Sequence, residues 1–192
     1  MISETIKKNR SYRKFCEEEE IKPEVLKELV NLARLSGCAM NMQSLRYLLI
    51  TEKEDREKIY PNIKWAGFLR DWDGPEKGRR PSGFILVLKD TEKQNSAYVQ
   101  IDMGIACQSI LLGAVEKGLG GCIIGAFNKG NICRDFNIAD NLELSLVIAI
   151  GKPDQNVIID EIQKGDDTKY WVDENGNHHV PKIRLEDIII ER

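Results

Sequence analysis

Two short runs carry most of the chemistry-bearing side chains of this chain. Asn9-Arg10-Ser11-Tyr12-Arg13-Lys14-Phe15 places two guanidinium forks and a hydroxyl on one short turn at the end of a first helix. Guanidinium forks match phosphate oxygens bidentately and a serine hydroxyl adds a neutral donor, so a phosphorylated ligand is the first partner to expect. A charge run of this kind is most often a solvated face. It gains meaning from a second basic cluster near the other end of the chain, His178-His179-Val180-Pro181-Lys182-Ile183-Arg184. The two clusters are expected to close on one phosphate.

A third run, Gly37-Cys38-Ala39-Met40-Asn41-Met42-Gln43, sets small and amide-bearing residues between a helix and a strand, with Asn41 and Gln43 on one side if it is extended. Primary amides donate and accept, which suits a heterocycle of alternating carbonyl and ring-nitrogen groups, although loop amides commonly bond only to backbone. Other chemistries are poorly supported. The two histidines are adjacent and face opposite ways in an extended strand, so neither a histidine metal site nor a Cys-His nucleophile pair is expected. No Walker lysine motif is present, and Gly118-Leu119-Gly120-Gly121 fits a helix cap followed by close packing better than a dinucleotide fingerprint. A chain so poor in acid-base motifs would take its hard chemistry from a cofactor.

With 192 residues, 42% hydrophobic and 31% charged, the chain is sized for one domain with one sizeable core. A net charge of −3 argues against a nucleic-acid or anionic-membrane surface, and no apolar run approaches the ~20 residues of a membrane span. Five cysteines without a C-x-x-C pair and no apolar leader core point to the cytoplasm.

The elements that must position these runs read as follows. A short helix near Ser3–Asn9 precedes the first basic run, and a second helix starts at Lys22-Pro23, carries Leu26, Leu29, Val30 and Ala33 on one face and ends at Gly37. Buried strands are expected at Arg46–Thr51 and Phe84–Leu88, with a charged helix at Lys53–Ile59 between them. The irregular segment Trp65–Gly83 divides evenly between a functional lid and core packing. From Ala97 to Lys117 the pattern predicts a helix apolar nearly all round, either central to the core or shared with a partner subunit. Strands at Leu119–Phe127 and Leu144–Ile150 complete about four strands interleaved with helices, a mixed α/β or α+β layer, and the tail after Asp160 reads as polar and extended.

Taken in order, Arg10-Ser11-x-Arg13-x-Phe15, Asn41-x-Gln43, the apolar helix running into Gly118-Leu119-Gly120-Gly121-Cys122-Ile123-Ile124-Gly125, and Gly151-x-Pro153 resemble the FMN-dependent nitroreductase family over nearly the whole chain. The ending Tyr170-Trp171 and His178-His179-Val180-Pro181-Lys182-x-Arg184 resembles the tails of its small bacterial members. The resemblance implies a single α+β domain over residues 1–192: a three-layer fold in which helices pack a mixed, mainly antiparallel sheet and the long apolar helix lies at a homodimer interface. The tail from about residue 160 would wrap onto the body or the partner. It also implies FMN at the interface, NAD(P)H as donor, a nitroaromatic, quinone or other small acceptor, and a ping-pong cycle. Arg10, Ser11 and Arg13 would then hold the FMN phosphate and nearby ring or ribityl oxygens, with Lys182 and Arg184 closing on the phosphate. Cys38, Ala39, Asn41 and Gln43 would line the isoalloxazine and ribityl from the partner subunit, and the backbone around Ile124, Gly125 and Ala126 would face the flavin N5 and O4 edge. No side chain is assigned as a proton donor, since water can serve. The chain departs from the family pattern at Asn9, at Gly37-Cys38 and at Ser44. A flavin store or sensor without turnover, or a related flavin enzyme such as a reductive dehalogenase, is the alternative.

Overall fold

Strands β2 (Gly83–Asp90) and β4 (Leu142–Gly151) are apolar on both faces and therefore need cover on both. In the computed structural model, which describes residues 1–93 and 98–191, they pair antiparallel at the centre of a four-stranded sheet. β1 (Leu45–Ile50) flanks β2 and β3 (Gly120–Ile124) flanks β4, giving the order β1-β2-β4-β3 with every pairing antiparallel.

The sheet is the middle of three layers. Ile85, Val87, Ile148 and Ile150 meet Leu26, Leu29 and Ala33 of α2 (Pro23–Leu35) and Met103, Ala106, Cys107 and Ile110 of α4 (Val99–Glu116) on one face. Phe84, Leu86, Val147 and Ala149 on the other face meet Phe15, Trp65, Ile59 of α3 (Lys53–Ile59) and Ile132 of α5 (Lys129–Asp135). The mixed α+β class expected from the sequence is the one observed.

Several local expectations change. α2 stops at Leu35, where Ser36 turns extended and its hydroxyl donates to the Leu32 carbonyl, so Gly37 is not the stop. β1 is an edge strand and only Ile50 is fully buried in it. Trp65–Gly83 divides its roles, with Trp65 in the core and Phe68 exposed toward the tail. The start predicted for α4 at Ala97 lies outside the described residues. α5 was not foreseen; Asn128 caps it by accepting a hydrogen bond from the Asn131 N–H at 3.1 Å.

The largest difference is in the tail. β5 (Val157–Ile162) and β7 (His178–Ile183) pair in parallel and β6 (Trp171–Val172) joins β7 antiparallel, so the tail is a second sheet laid against the body rather than an extended strap. Seven strands replace the four predicted, counted among the described residues. α1 (Ile2–Lys8) and α6 (Leu185–Ile188) lie near the chain ends.

Candidate functional site

The first basic run lies along the outer edge of β3. Ser11 bridges Gly121 in parallel, the Tyr12 N–H donates to the Gly121 carbonyl at 3.0 Å, and Phe15 bridges Pro153 beyond the end of β4. The glycines permit this approach. A Cβ at Gly120 would lie 2.5 Å from the Tyr12 ring and one at Gly121 2.5 Å from the Ala149 carbonyl oxygen. Gly118, at φ +70°, ends α4. The glycine run is thus a helix cap followed by close packing.

β7 supplies the other wall. Strand alternation turns His178, Val180 and Lys182 to one side, where with Asn9, Arg10, Ser11, Arg13 and Tyr170 they line a pocket of about 270 Å³. The two ends of the chain therefore meet, as the two basic clusters led us to expect. Arg184 does not take part. It lies past the strand end, paired with Asp187 and Glu186 at 3.3 Å each.

Arg13 is the centre of the pocket and only 8% exposed. Its Nη1 donates to the Ser11 carbonyl at 3.2 Å and lies 3.1 Å from His178 Nε2, while its guanidinium sits 4.8 Å over the Tyr170 ring. Its backbone N–H donates to Gln155 Oε1 at 2.9 Å, which ties the run to the start of the tail. Cys122 on β3 is close enough to feel this charge: burial pushes its thiol up and Arg13 opposes that in part. His178 is 1% exposed, and burial followed by the neighbouring Arg13 charge lowers its pKa from 6.5 to about 4. It is a neutral group, not a member of a basic cluster.

His179 faces away, as two adjacent strand residues must. Its Nδ1 lies 2.9 Å from Asp160 and its ring stacks on Trp171 at 4.2 Å. Tyr170 extends the pocket wall toward the Trp loop, with its hydroxyl accepting from the Phe68 N–H at 3.2 Å and its ring 5.1 Å from Phe68.

Buried polar atoms bear on the kind of group the pocket suits. Arg10 Nε, Arg13 Nε and His178 Nδ1 are buried without a hydrogen-bond partner among the described residues, as are Arg80 Nε and Ser82 Oγ elsewhere. Such orphans are costly unless a ligand meets them. The first three belong to residues lining this pocket, and arginine Nε can only donate. The arrangement suits an acceptor-rich, negatively charged group.

The amide run forms a separate place. Cys38 and Gln43 line a cleft of about 390 Å³ between α2, β1 and α4, beside Tyr47, whose hydroxyl burial pushes up to about 12. The loop is anchored where the Ala39 N–H donates to buried Asp102 of α4 at 2.8 Å. Its backbone is strained, with Met40, Asn41 and Gln43 at φ 50°, 54° and 51°. Gln43 Nε2 reaches the Asn41 carbonyl at 3.4 Å, and both side chains are exposed. Ile124 ends β3, and Gly125 and Ala126 follow it exposed, with the Ala126 carbonyl accepting from the Lys64 N–H at 2.9 Å. The described structure thus brings Arg10, Ser11, Arg13 and Lys182 into one pocket and leaves Cys38, Ala39, Asn41 and Gln43 outside it.

Sequence reasoning placed His178 in the second basic cluster and Tyr170 in the family-like tail but assigned neither as a ligand-binding residue, and it missed Asp102 as the anchor of the amide loop. The signal for His178 was present in the period of two that joins it to Lys182 through Val180. Asp102 was visible as an acid within an apolar helix.

Comparison with known proteins adds an independent line. A model of the nitroreductase family matches residues 6–152. A Methanothermobacter thermautotrophicus protein with the provisional name NADH dehydrogenase/NAD(P)H nitroreductase is 27% identical over 160 residues, 81% of this chain and 78% of that protein. The crystal structure of a nitroreductase family protein from Streptococcus pneumoniae covers 100% of both chains with a TM-score of 0.72 at 15% identity. A provisionally named nitroreductase from Exiguobacterium sibiricum, solved in complex with FMN, gives a TM-score of 0.67 at 20% identity over 81% of this chain and 89% of its own.

Proposed function

The chain belongs to the nitroreductase family, and we propose that it is an FMN-dependent NAD(P)H oxidoreductase that passes electrons from a reduced nicotinamide to a nitroaromatic, quinone or other small acceptor. The observation that carries the reading is the set of orphaned N–H donors of Arg10, Arg13 and His178 on one cationic pocket built from both ends of the chain. The FMN complex of the Exiguobacterium relative and the NAD(P)H in the name of the Methanothermobacter relative support the choice of cofactor and donor.

FMN, when bound, supplies reversible acceptance of a hydride and its delivery to a second substrate. The chain's part is to bind and bias it. Arg10, Ser11 and Lys182, which line the pocket, would hold the phosphate by charge-assisted hydrogen bonds. Arg13, fixed by Ser11, His178 and Tyr170, is a preorganised positive charge that favours the electron-rich form of its ligand without reorganising. The exposed backbone at Gly125 and Ala126 and the amides of Asn41 and Gln43 offer the hydrogen bonds that a ring edge requires.

We further propose that the working unit is a homodimer. Ile101, Gly104, Ile105 and Gln108 are exposed at i, i+3, i+4 and i+7 of α4, with the two isoleucines 59% and 41% accessible. At one end of this stripe Asp102 anchors the amide loop; at the other Gln108 accepts from the Asn9 side chain at 3.3 Å. Antiparallel packing of two such stripes about a twofold axis would bring the loop of one protomer toward the Arg10–Arg13 run of its partner. That is the geometry the separate half-sites require. The free thiols of all five cysteines support a reducing, cytoplasmic setting.

The test is an absorbance spectrum of the purified protein followed by anaerobic NADH and, separately, NADPH. Oxidised-flavin bands that bleach rapidly are expected. Bound flavin that does not bleach would favour a store or sensor, and failure to take up FMN on reconstitution would overturn the reading.

A further inference from the structure

Arginine nitrogens carry only donors, so the 3.1 Å contact between Arg13 Nη1 and His178 Nε2 requires Nε2 to be the acceptor. The imidazole is then neutral and its proton sits on Nδ1. That Nδ1–H is buried, has no partner among the described residues, and belongs to a ring that lines the same pocket as Lys182. Turning the ring would lose the Nε2 contact with Arg13, and its backbone is held in place. The Tyr170 ring packs 5.2 Å away, the His178 backbone N–H is tied to the Asn156 carbonyl at 2.9 Å, and parallel pairing with Val157 of β5 fixes the register.

We infer that His178 is a positioning and ligand-binding residue of the pocket: Nε2 holds the Arg13 guanidinium in place, and Nδ1–H donates to an oxygen of the bound FMN. This rests on the FMN reading above and adds to it a residue outside the two arginines and the lysine. It also gives the tail sheet a role. β5 and β6 hold β7 so that one neutral donor stands among the cations, and a neutral donor supplies direction where charges supply only attraction. A second proton on the ring would abolish the acceptor and set two cations together, so the neutral form is the working one. Burial and the Arg13 charge both favour it.

The experiment pairs two readouts. The first is 15N NMR of imidazole-labelled protein, stripped of flavin and then titrated with FMN. Wild-type protein should show one neutral His178 tautomer with the proton on Nδ1, and that resonance should move as FMN binds. The second is the FMN dissociation constant of wild type, His178→Phe, His178→Asn, His178→Gln and His179→Gln. Phe should weaken binding about tenfold or more. Asn, which can place a donor near Nδ1, and Gln, which can place an acceptor near Nε2, should each recover part of the loss. His179→Gln, on the far face of β7, should stay within about twofold of wild type. A merely structural histidine would not give this graded rescue at matched thermal stability. An Nε2–H tautomer in the stripped protein, or unchanged FMN affinity in His178→Phe, overturns the inference. Wild-type protein that binds no FMN overturns the cofactor reading instead, and the tautomer measurement then still decides whether His178 holds Arg13.

Discussion

The Arg13 pocket and the Met40 loop are built in opposite ways. At the first, Arg13 and His178 are buried, Tyr170 closes over them, and residues near both ends of the chain meet within one protomer. At the second, Met40, Asn41 and Gln43 stand exposed on left-handed backbone, secured mainly through the Ala39–Asp102 hydrogen bond. One half-site has its wall complete within a single chain. The other is a strained, outward-facing edge, and strain of this kind persists where surrounding contacts over-determine it. The contrast bears on the dimer proposed above: the pocket suits an anion, and the dimer would give the loop a second protein surface.

The most severe way to break this contrast is to charge the α4 stripe. Ile101→Asp together with Ile105→Asp should weaken self-association by about 4 kcal/mol, about a thousandfold, because two carboxylates would have to be desolvated in an apolar contact. Sedimentation should show monomers, and NAD(P)H should no longer bleach added FMN at the wild-type rate. Inorganic phosphate should still bind at the Arg10–Lys182 end, since that pocket belongs to one chain. A monomer with full reductase turnover would refute the division into half-sites.

Next in size is a pH effect confined to the buried half. His178 has a pKa lowered from 6.5 to about 4, so above pH 6.5 it is neutral in both folded and unfolded chains. Between pH 6.5 and about 4 the unfolded chain takes up the proton first. Stability therefore falls as pH falls through that window, by up to about 3 kcal/mol. The groups that face the ring are Arg13 and Tyr170, and His179 acts on it only through space from the other face of β7. Denaturant unfolding at pH 4.5 and 7 should show a smaller pH difference in His178→Phe than in wild type; equal differences would remove His178 as the source.

Arg13→Ala comes third. It strips the pocket of its fixed cation and leaves His178 Nε2 and the Ser11 carbonyl without their donor. FMN affinity should drop by about 1–3 kcal/mol. Isothermal titration would check this, and undiminished retention would show that Arg10 and Lys182 suffice.

Much of this was legible in the residues, and the failures have physical causes. α2 announces itself through Pro23 and the Leu26, Leu29, Ala33 face, and the central strands through unbroken apolar runs that only a doubly covered sheet can bury. The meeting of Arg10–Arg13 with Lys182 was readable because both clusters carry the same chemistry. The tail sheet was not. Its strands are short and half-exposed, with Ile159 and Trp171 facing solvent, so neither alternation nor burial marks them, and the β5–β7 pairing is parallel and non-local. Arg184 carries the right charge for the phosphate, yet nothing in its type shows that Asp187 and Glu186 would claim it. Histidine at position 178 counts as a base on paper and becomes a neutral donor through burial against an arginine, which only the fold supplies.

The smallest effect discriminates most finely. Met40 sits at φ 50°, ψ 21° and is 70% exposed. A non-glycine residue there carries about 1 kcal/mol of left-handed strain, and glycine would relieve it while adding a similar freedom to the unfolded chain. In the charged-stripe monomer, Met40→Gly should therefore change stability by less than about 0.5 kcal/mol in either direction. In the dimer the outcome should differ in size. If the strained loop is held outward because a partner covers the methionine side chain, deleting that side chain removes apolar burial, and the dimer should lose about 1 kcal/mol or more. Thermal melts of Met40→Gly in both backgrounds separate the cases. Equal effects would mean that the strain serves the chain's own packing at Asp102, whereas a loss seen only in the dimer would place the partner's surface over the loop.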